Sequence, residues 1–393
     1  MARYVYSHSE VRLWAYRHPW AVRVTIGLLS AVTAAGVALW VTSPSGPSGA
    51  EGHAGPGSAV ESGKRVSGFS VLSTSPATGA TDVSSDTLVV VRFSARVDAS
   101  GPMPVFAPPV AGSWRRTDPQ TLTFESAAPI PPGGTESLRV PGGLSGIRSS
   151  AGQRLAQSLS VTFEVGSSTL RLQQLLAELA YLPVSFTPTG PTPLPRETAE
   201  PQSGSFSWRW ASSLSGLEDQ WAPGDPGVIT QGAVMTFENQ HQLTVDGIAG
   251  PQVWTALLHA VQSGAADPSP YDDVYVSKTL PESLTVYVNG VTQFSNILVN
   301  TGISGVDTPD GTFEVFEHLT ASDMKGTNLD GSTYDDPNVP WASYFYKGDA
   351  LHGFVRSSYG YPQSNGCVEM SVANAGAIWP YTPIGTLVTV AGP

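Results

Sequence analysis

The sequence predicts a multi-domain chain: an N-terminal transmembrane helix, then an all-β sandwich, a small helical domain and a mostly β C-terminal domain. Three observations carry this. The 393 residues exceed the roughly 100 to 200 of an ordinary domain. Gly (41) and Pro (33) together make up about 19% of the chain, against an average nearer 12%, which excludes an all-helical fold. The hydrophobic pattern also changes period along the chain, from an unbroken apolar run to alternation, then to helical spacing, then back to alternation.

The first element is the stretch from Val24 to Val41, apolar or small over 18 residues without a charge and bracketed by Trp20 and Trp40. That length reaches across a bilayer at about 1.5 Å per residue with its flanks. Arg3, Arg12, Arg17 and Arg23 lie in the segment 1–23, which by the positive-inside rule places it in the cytoplasm and the rest outside. The run exceeds a usual signal-peptide core and lacks a clear small-residue cleavage site, so an uncleaved anchor is favoured over a cleaved signal. Residues 42–67, rich in Ser, Gly, Pro, Ala and Glu, are too poor in large apolar residues to pack and read as a flexible spacer.

Residues 68–166 alternate. Leu122 and Phe124 sit between threonines, and Leu159, Val161, Phe163 and Val165 between polar residues, with turns signalled at Pro131-Pro132-Gly133-Gly134 and Pro141-Gly142-Gly143. Such spacing predicts an antiparallel sandwich. Helical spacing follows across 167–263: Leu172, Leu175, Leu176 and Leu179 recur at i, i+3, i+4 and i+7, as do Trp254, Leu257, Leu258 and Val261. Pro251 begins the last helix at a position where its missing N–H is harmless. From Val274 alternation returns in Leu284, Val286 and Val288. Asn289-Gly290 supplies a hairpin turn, Phe313 and Val315 extend the pattern, and Leu387 to Val390 closes it.

The net charge is −12, and beyond residue 23 it reaches −15, which excludes nucleic acid as a natural partner. Cys367 is the only cysteine, so no intramolecular disulfide forms. The seven histidines show no metal-ligand spacing and no Gly-rich segment carries a phosphate-binding Gly-Lys-Ser/Thr, so no metal or cofactor is expected. Cys367 sits in Ser364-Asn365-Gly366-Cys367-Val368-Glu369-Met370, ahead of a helix that Ser371 caps, with His352-Gly353 15 residues upstream. A thiolate is the nucleophile, so a reactive cysteine needs an imidazole or a helix terminus nearby. Alone, either residue fits a packed core equally well.

Taken with their surroundings these residues resemble the L,D-transpeptidase (YkuD-type) catalytic domain, whose signature is a His-Gly followed after a loop by Ser-His-Gly-Cys, a hydrophobic residue, and Arg or Asn. Thr308-Pro309-Asp310-Gly311-Thr312-Phe313, Val339-Pro340-Trp341 with Tyr344-Phe345, Ala350-Leu351-His352-Gly353 and Ile384-Gly385-Thr386-Leu387-Val388 agree in order, over 272–391. The runs Ser75-Pro76-Ala77-Thr78-Gly79-Ala80-Thr81-Asp82-Val83 and Val91-Arg92-Phe93-Ser94 resemble bacterial Ig-like modules. Ala233-Val234, Phe237-Glu238, His241, Val245-Asp246-Gly247-Ile248-Ala249-Gly250 and Val253-Trp254 resemble the three-helix peptidoglycan-binding domain, with an insertion at 183–206 that its short form lacks. A small helical packing domain is the alternative for the last.

The resemblance implies a membrane-anchored enzyme of the cell envelope whose partners are peptidoglycan stem peptides and glycan, with carbapenems as inhibitors. It implies Cys367 as nucleophile, His352 as its base, and the backbone N–H groups of Gly366 and Cys367 as oxyanion donors, with Ser364, Asn365 and Gly353 shaping the loop. Met324, Tyr334, Trp341 and Tyr344 are candidates for the cleft wall. Hydrolysis of the same bond, as a carboxypeptidase or endopeptidase, and a non-catalytic wall-binding role remain the alternatives. Two positions depart from the signature, Asn365 for His and Glu369 for Arg or Asn. A carboxylate at 369 would oppose thiolate formation, so Glu369 is expected to point away or to pair, with Arg356 as a partner.

Overall fold

The computed structural model describes residues 68–98, 100–189, 199–210 and 216–392. The expected membrane span at 24–41 and the spacer at 42–67 lie outside them, and no helix among the described residues is long and apolar enough to cross a membrane.

Strands β1 (Val71–Ser75), β2 (Ala80–Val83), β3 (Val89–Phe93), β4 (Val105–Phe106), β5 (Gly112–Asp118), β6 (Thr121–Ser126), β7 (Thr135–Val140) and β8 (Leu159–Val165) form two four-stranded sheets, ordered β1-β3-β6-β5 and β2-β8-β7-β4. Alternation decides which side chains go inward: Val89, Val91 and Phe93 from one sheet meet Leu138, Val161, Phe163 and Val165 from the other, all buried. Leu159, at the mouth, is 36% exposed. The sandwich is not wholly antiparallel, because β2 crosses between sheets and joins β8 in parallel.

Three α-helices build the next module: α1 (Thr169–Glu178), α2 (Val228–Gln240) and α3 (Pro251–Ser263). The Ser168 hydroxyl accepts from the Arg171 N–H at 3.2 Å to start α1, and Gly264, at φ 69°, ends α3 in the left-handed conformation. The insertion is a hairpin of β9 (Val184–Pro188) and β10 (Gly204–Trp208). Its Phe186 and Phe206, 5.1 Å apart, pack on the helical core.

The C-terminal domain is two facing sheets. One comprises β11 (Asp272–Ser277), β12 (Ser283–Val288), β13 (Val291–Leu298), β14 (Gly311–Glu314) and, named ahead of its turn in the chain, β19 (Leu387–Ala391), in the order β13-β12-β11-β19-β14. The other contains β15 (Glu317–Thr327), β16 (Thr333–Tyr346), β17 (Asp349–Gly353) and β18 (Val368–Met370), in that order. Val274, Val276, Leu284 and Val286 face Phe345, Leu351, Val368 and Met370 across the core, with α4 (Val372–Ile378) closing one end. Asn289 and Gly290 have φ of 50° and 70°, the two positive values that a tight hairpin requires.

The helical module is fastened to this domain. A Cβ on Gly232 of α2 would stand 2.7 Å from the Gly385 carbonyl oxygen, so only glycine allows the approach. Thr236 of α2 donates to the Ile384 carbonyl at 3.3 Å, and Leu387 of β19 is buried in the helical core.

Glu238, fully buried on α2, accepts from the Asp246 and Gly247 N–H groups at 3.0 and 2.9 Å, which fixes the Asp246-Gly247 turn. Burial raises its pKa to about 8. An acid whose folded pKa lies above its unfolded value gives the fold a stabilising proton at low pH, and that stability is lost as pH rises from the unfolded value through about 8. Glu238→Gln keeps the acceptor and removes the charge. It should leave the melting temperature near wild type at pH 5 and raise it by about 2 °C or more at pH 9, read by differential scanning calorimetry.

Candidate active site

The strands that carry the site are β17 and β18, and their pairing is parallel: Leu351 opposes Val368, His352 opposes Glu369, and Gly353 opposes Met370. Leu351, Val368 and Met370 point into the core, so the alternate side chains His352 and Glu369 turn to the other face. There they line a cavity of about 520 Å³ with Cys367, which immediately precedes β18. The remaining walls come from the β15–β16 hairpin, including Met324, Tyr334, Asp336 and Tyr344, and from Gly348, Asp349, Phe354, Arg356 and Asn365.

Buried polar contacts hold the cysteine loop. Thr308, fully buried, donates to the Gly366 carbonyl at 2.7 Å and accepts from the Gly302 N–H at 2.9 Å. This gives the Thr308-Pro309-Asp310-Gly311 run a physical purpose: its threonine locks the loop that presents the thiol. Glu369 exchanges backbone hydrogen bonds with Asn300 at 2.8 and 2.9 Å, and the Ser364 N–H donates to the Thr301 carbonyl at 3.0 Å. The Ser364 hydroxyl donates to the Cys367 carbonyl at 2.6 Å and accepts from the Gly366 N–H at 3.2 Å. Gly366 has φ 122°, and a Cβ there would meet the Asp349 carboxylate at 2.3 Å, so both conformation and space demand glycine. Ser371 caps α4 by accepting from the Asn374 N–H at 3.2 Å.

His352 is 3% exposed. Its Nδ1 lies 3.2 Å from the Gly353 carbonyl oxygen, which can only accept, so Nδ1 bears the proton and Nε2 keeps its lone pair. Burial lowers the His352 pKa, with Glu369 acting in the opposite direction. The Cys367 thiol lies 3.8 Å from the Gly348 carbonyl oxygen, which it faces as a donor. Its pKa is raised, by burial first and by Asp349 next, while the Ala350 N–H works against both by offering the sulfur a hydrogen bond. Burial thus pushes both groups toward their neutral forms, the thiol up and the imidazole down.

The expected wall residues divide. Met324, Tyr334 and Tyr344 face the cavity, and the Tyr344 hydroxyl is fixed 2.8 Å from that of Ser322. Trp341 does not face the cavity: its ring packs against Trp379, centroids 5.5 Å apart, and over Gly376 of α4. Asn365 donates to the Asn328 side chain at 2.7 Å, tying the cysteine loop to the β15–β16 turn. Glu369 is paired with Arg356 as expected, Nε to Oε2 at 2.8 Å and NH2 to Oε1 at 2.7 Å. Asp349 was not foreseen. Its one signal in the sequence is a carboxylate three residues before His352 in an otherwise apolar strand.

Three family models match the sequence: the L,D-transpeptidase catalytic domain over 272–390, a putative peptidoglycan binding domain over 213–257, and a bacterial Ig-like domain over 66–165. No curated protein matches. Among solved structures, the chain is similar to an L,D-transpeptidase from Mycobacterium smegmatis, at 14% identity over 82% of this chain and 99% of that one, with a TM-score of 0.29. L,D-transpeptidase 3 from Mycobacterium tuberculosis in complex with a faropenem-derived adduct aligns at 14% identity over 82% and 97%, TM-score 0.28. The catalytic domain of an Enterococcus faecium L,D-transpeptidase aligns at 23% identity over 32% and 98%, TM-score 0.28.

Burial brings Asp349 to a pKa of about 7, so its charge develops across neutrality and opposes that of a thiolate. Asp349→Asn should therefore speed alkylation of Cys367 by iodoacetamide several-fold at pH 8.5 and leave it unchanged at pH 5.5, where the wild-type carboxyl is already protonated. Equal rates at both pH values would remove Asp349 from the account of the thiol.

Proposed function

We propose that this chain, whose C-terminal domain belongs to the L,D-transpeptidase catalytic family, is an envelope enzyme that cross-links peptidoglycan stem peptides through a Cys367 acyl-enzyme. The observation that carries the reading is the single thiol of the chain opening onto the same cavity as a buried imidazole whose Nε2 is free to accept a proton. The donor is a stem tetrapeptide. Its third-residue carbonyl is attacked by sulfur as His352 Nε2 takes the thiol proton, and the terminal D-Ala leaves with that proton on its amine. The oxyanion draws on the backbone N–H groups of Cys367 and Gly366, the latter turning from the Ser364 hydroxyl to the substrate. A second stem then presents its amine to the thioester.

Two features favour an amine over water in that second step. Asp323, Asp336 and Asp349 face the cavity and attract an acceptor amine, which is cationic until it attacks, whereas they offer no such advantage to water. The peptidoglycan-binding-like module is packed directly on the catalytic domain, so neighbouring stems are held at high effective concentration. Tyr334, Tyr344, Met324 and Phe354 supply the apolar surface that protects the thioester. Carbapenems, strained acyl donors, fit the same thiol as inhibitors. The apolar run at 24–41, acting as an anchor, holds the enzyme at the outer face of the membrane, with the Ig-like domain as a spacer.

The experiment is product analysis of the full chain with isolated tetrapeptide stems. Dimers linked through third-position residues are expected by chromatography and mass spectrometry. Tripeptide and free D-Ala alone, even with excess acceptor, would make the enzyme an L,D-carboxypeptidase. No turnover would reduce it to a wall-binding protein.

A further inference from the structure

Position 369 carries a carboxylate where the family signature has Arg or Asn, two residues after the nucleophile. A buried ion pair is a poor device for stability, because apolar residues of the same volume hold a fold as well or better. The Glu369–Arg356 pair nevertheless sits in the wall of the active cavity, with the Glu369 side chain only 6% exposed. Its surroundings point to a use. Glu369 is the register partner of His352 across the parallel ladder, and both side chains line the cavity. Both its oxygens are gripped by the Arg356 fork. The guanidinium rests 4.6 Å from the centroid of the Phe354 ring, which meets His352 edge-on at 5.9 Å. The carboxylate is thus fixed in place and cannot swing toward the thiol.

We propose that Glu369, clamped by Arg356, is a positioning residue whose fixed negative charge stabilises the imidazolium of His352 while Cys367 is a thiolate. The proposal rests on the reading of Cys367 and His352 given above. In the step concerned, the S–H bond breaks, its electron pair stays on sulfur, and the proton moves to Nε2. The positive charge so formed, delocalised over the ring, is opposed by no other anion on β18. The charged groups acting on His352 are Glu369 of β18, Arg356 of the loop after β17 and Asp336 of β16. Arg356 alone would disfavour the imidazolium, and Asp336 supports it more weakly than Glu369. Glu369 also adds to the resistance of the thiol to ionise.

The test compares the full wild-type chain with Glu369→Gln and Arg356→Gln by two readouts: NMR titration of His352, its signal assigned by loss in His352→Ala, and the pH profile of acylation by a carbapenem. Glu369→Gln should weaken the proton affinity of His352 about tenfold, moving its titration and the acidic limb of the profile down by about one pH unit, and should slow acylation at pH 7 about tenfold. Arg356→Gln should move the titration the opposite way, which loss of packing does not do. An unmoved His352 titration in Glu369→Gln, with or without a loss of rate or melting temperature, would overturn the proposal. If the wild type is not acylated at all, the reading of the reaction fails, and the NMR titration still decides the role of Glu369.

Discussion

The parallel pairing of two short strands, β17 and β18, is the constraint on which the site depends. Neither strand is stable alone. Leu351, Val368 and Met370 bury one face of the pair in the core between the two sheets, and strand alternation then leaves His352 and Glu369 no direction but the cavity. A slip of one residue would turn His352 into the core and a leucine into the cleft. The register is guarded from the side by Asn300 and Thr308, whose buried contacts reach Glu369 and Gly366.

Electrostatically, burial acts on Cys367 and His352 in the same sense, away from charge, raising the thiol and lowering the imidazole. The charges of the wall are partly paired, Arg356 with Glu369 beside His352, and Lys325 with Asp335, 2.9 Å apart on the outer hairpin. Both residues expected for the pair, Cys367 and His352, line the cavity.

Much of this was legible in the sequence because the signals were dense there. Leu284, Val286 and the Asn289-Gly290 turn gave the β12–β13 hairpin its pattern, and Leu172, Leu175 and Leu176 gave α1 its buried stripe. The β15–β16 hairpin was hidden, since β15 and the first half of β16 run through Ser, Asp, Lys and Thr with both faces partly exposed, and no period of apolar residues marks them. β18 was missed for a different reason: three residues are too few to show a period. Trp341 was expected in the cleft from its aromatic type and its place in the run resembling the cleft segment, but the ring packs against Trp379 and over Gly376 of α4 instead. Arg356 was legible as a partner for Glu369 because a carboxylate two residues after the thiol would oppose its ionisation unless it pointed away or was paired.

The central claim is that Cys367 is the atom that takes the acyl group. The most direct measurement is the intact mass of the full chain after brief exposure to a stem tetrapeptide, followed by digestion to locate the added mass. The account predicts one adduct per chain, with the mass of the tetrapeptide less its terminal D-Ala, carried on the peptide containing Cys367, removed by hydroxylamine as a thioester, and absent from Cys367→Ala. An adduct that persists in Cys367→Ala, or an added mass located on any other residue, would contradict it.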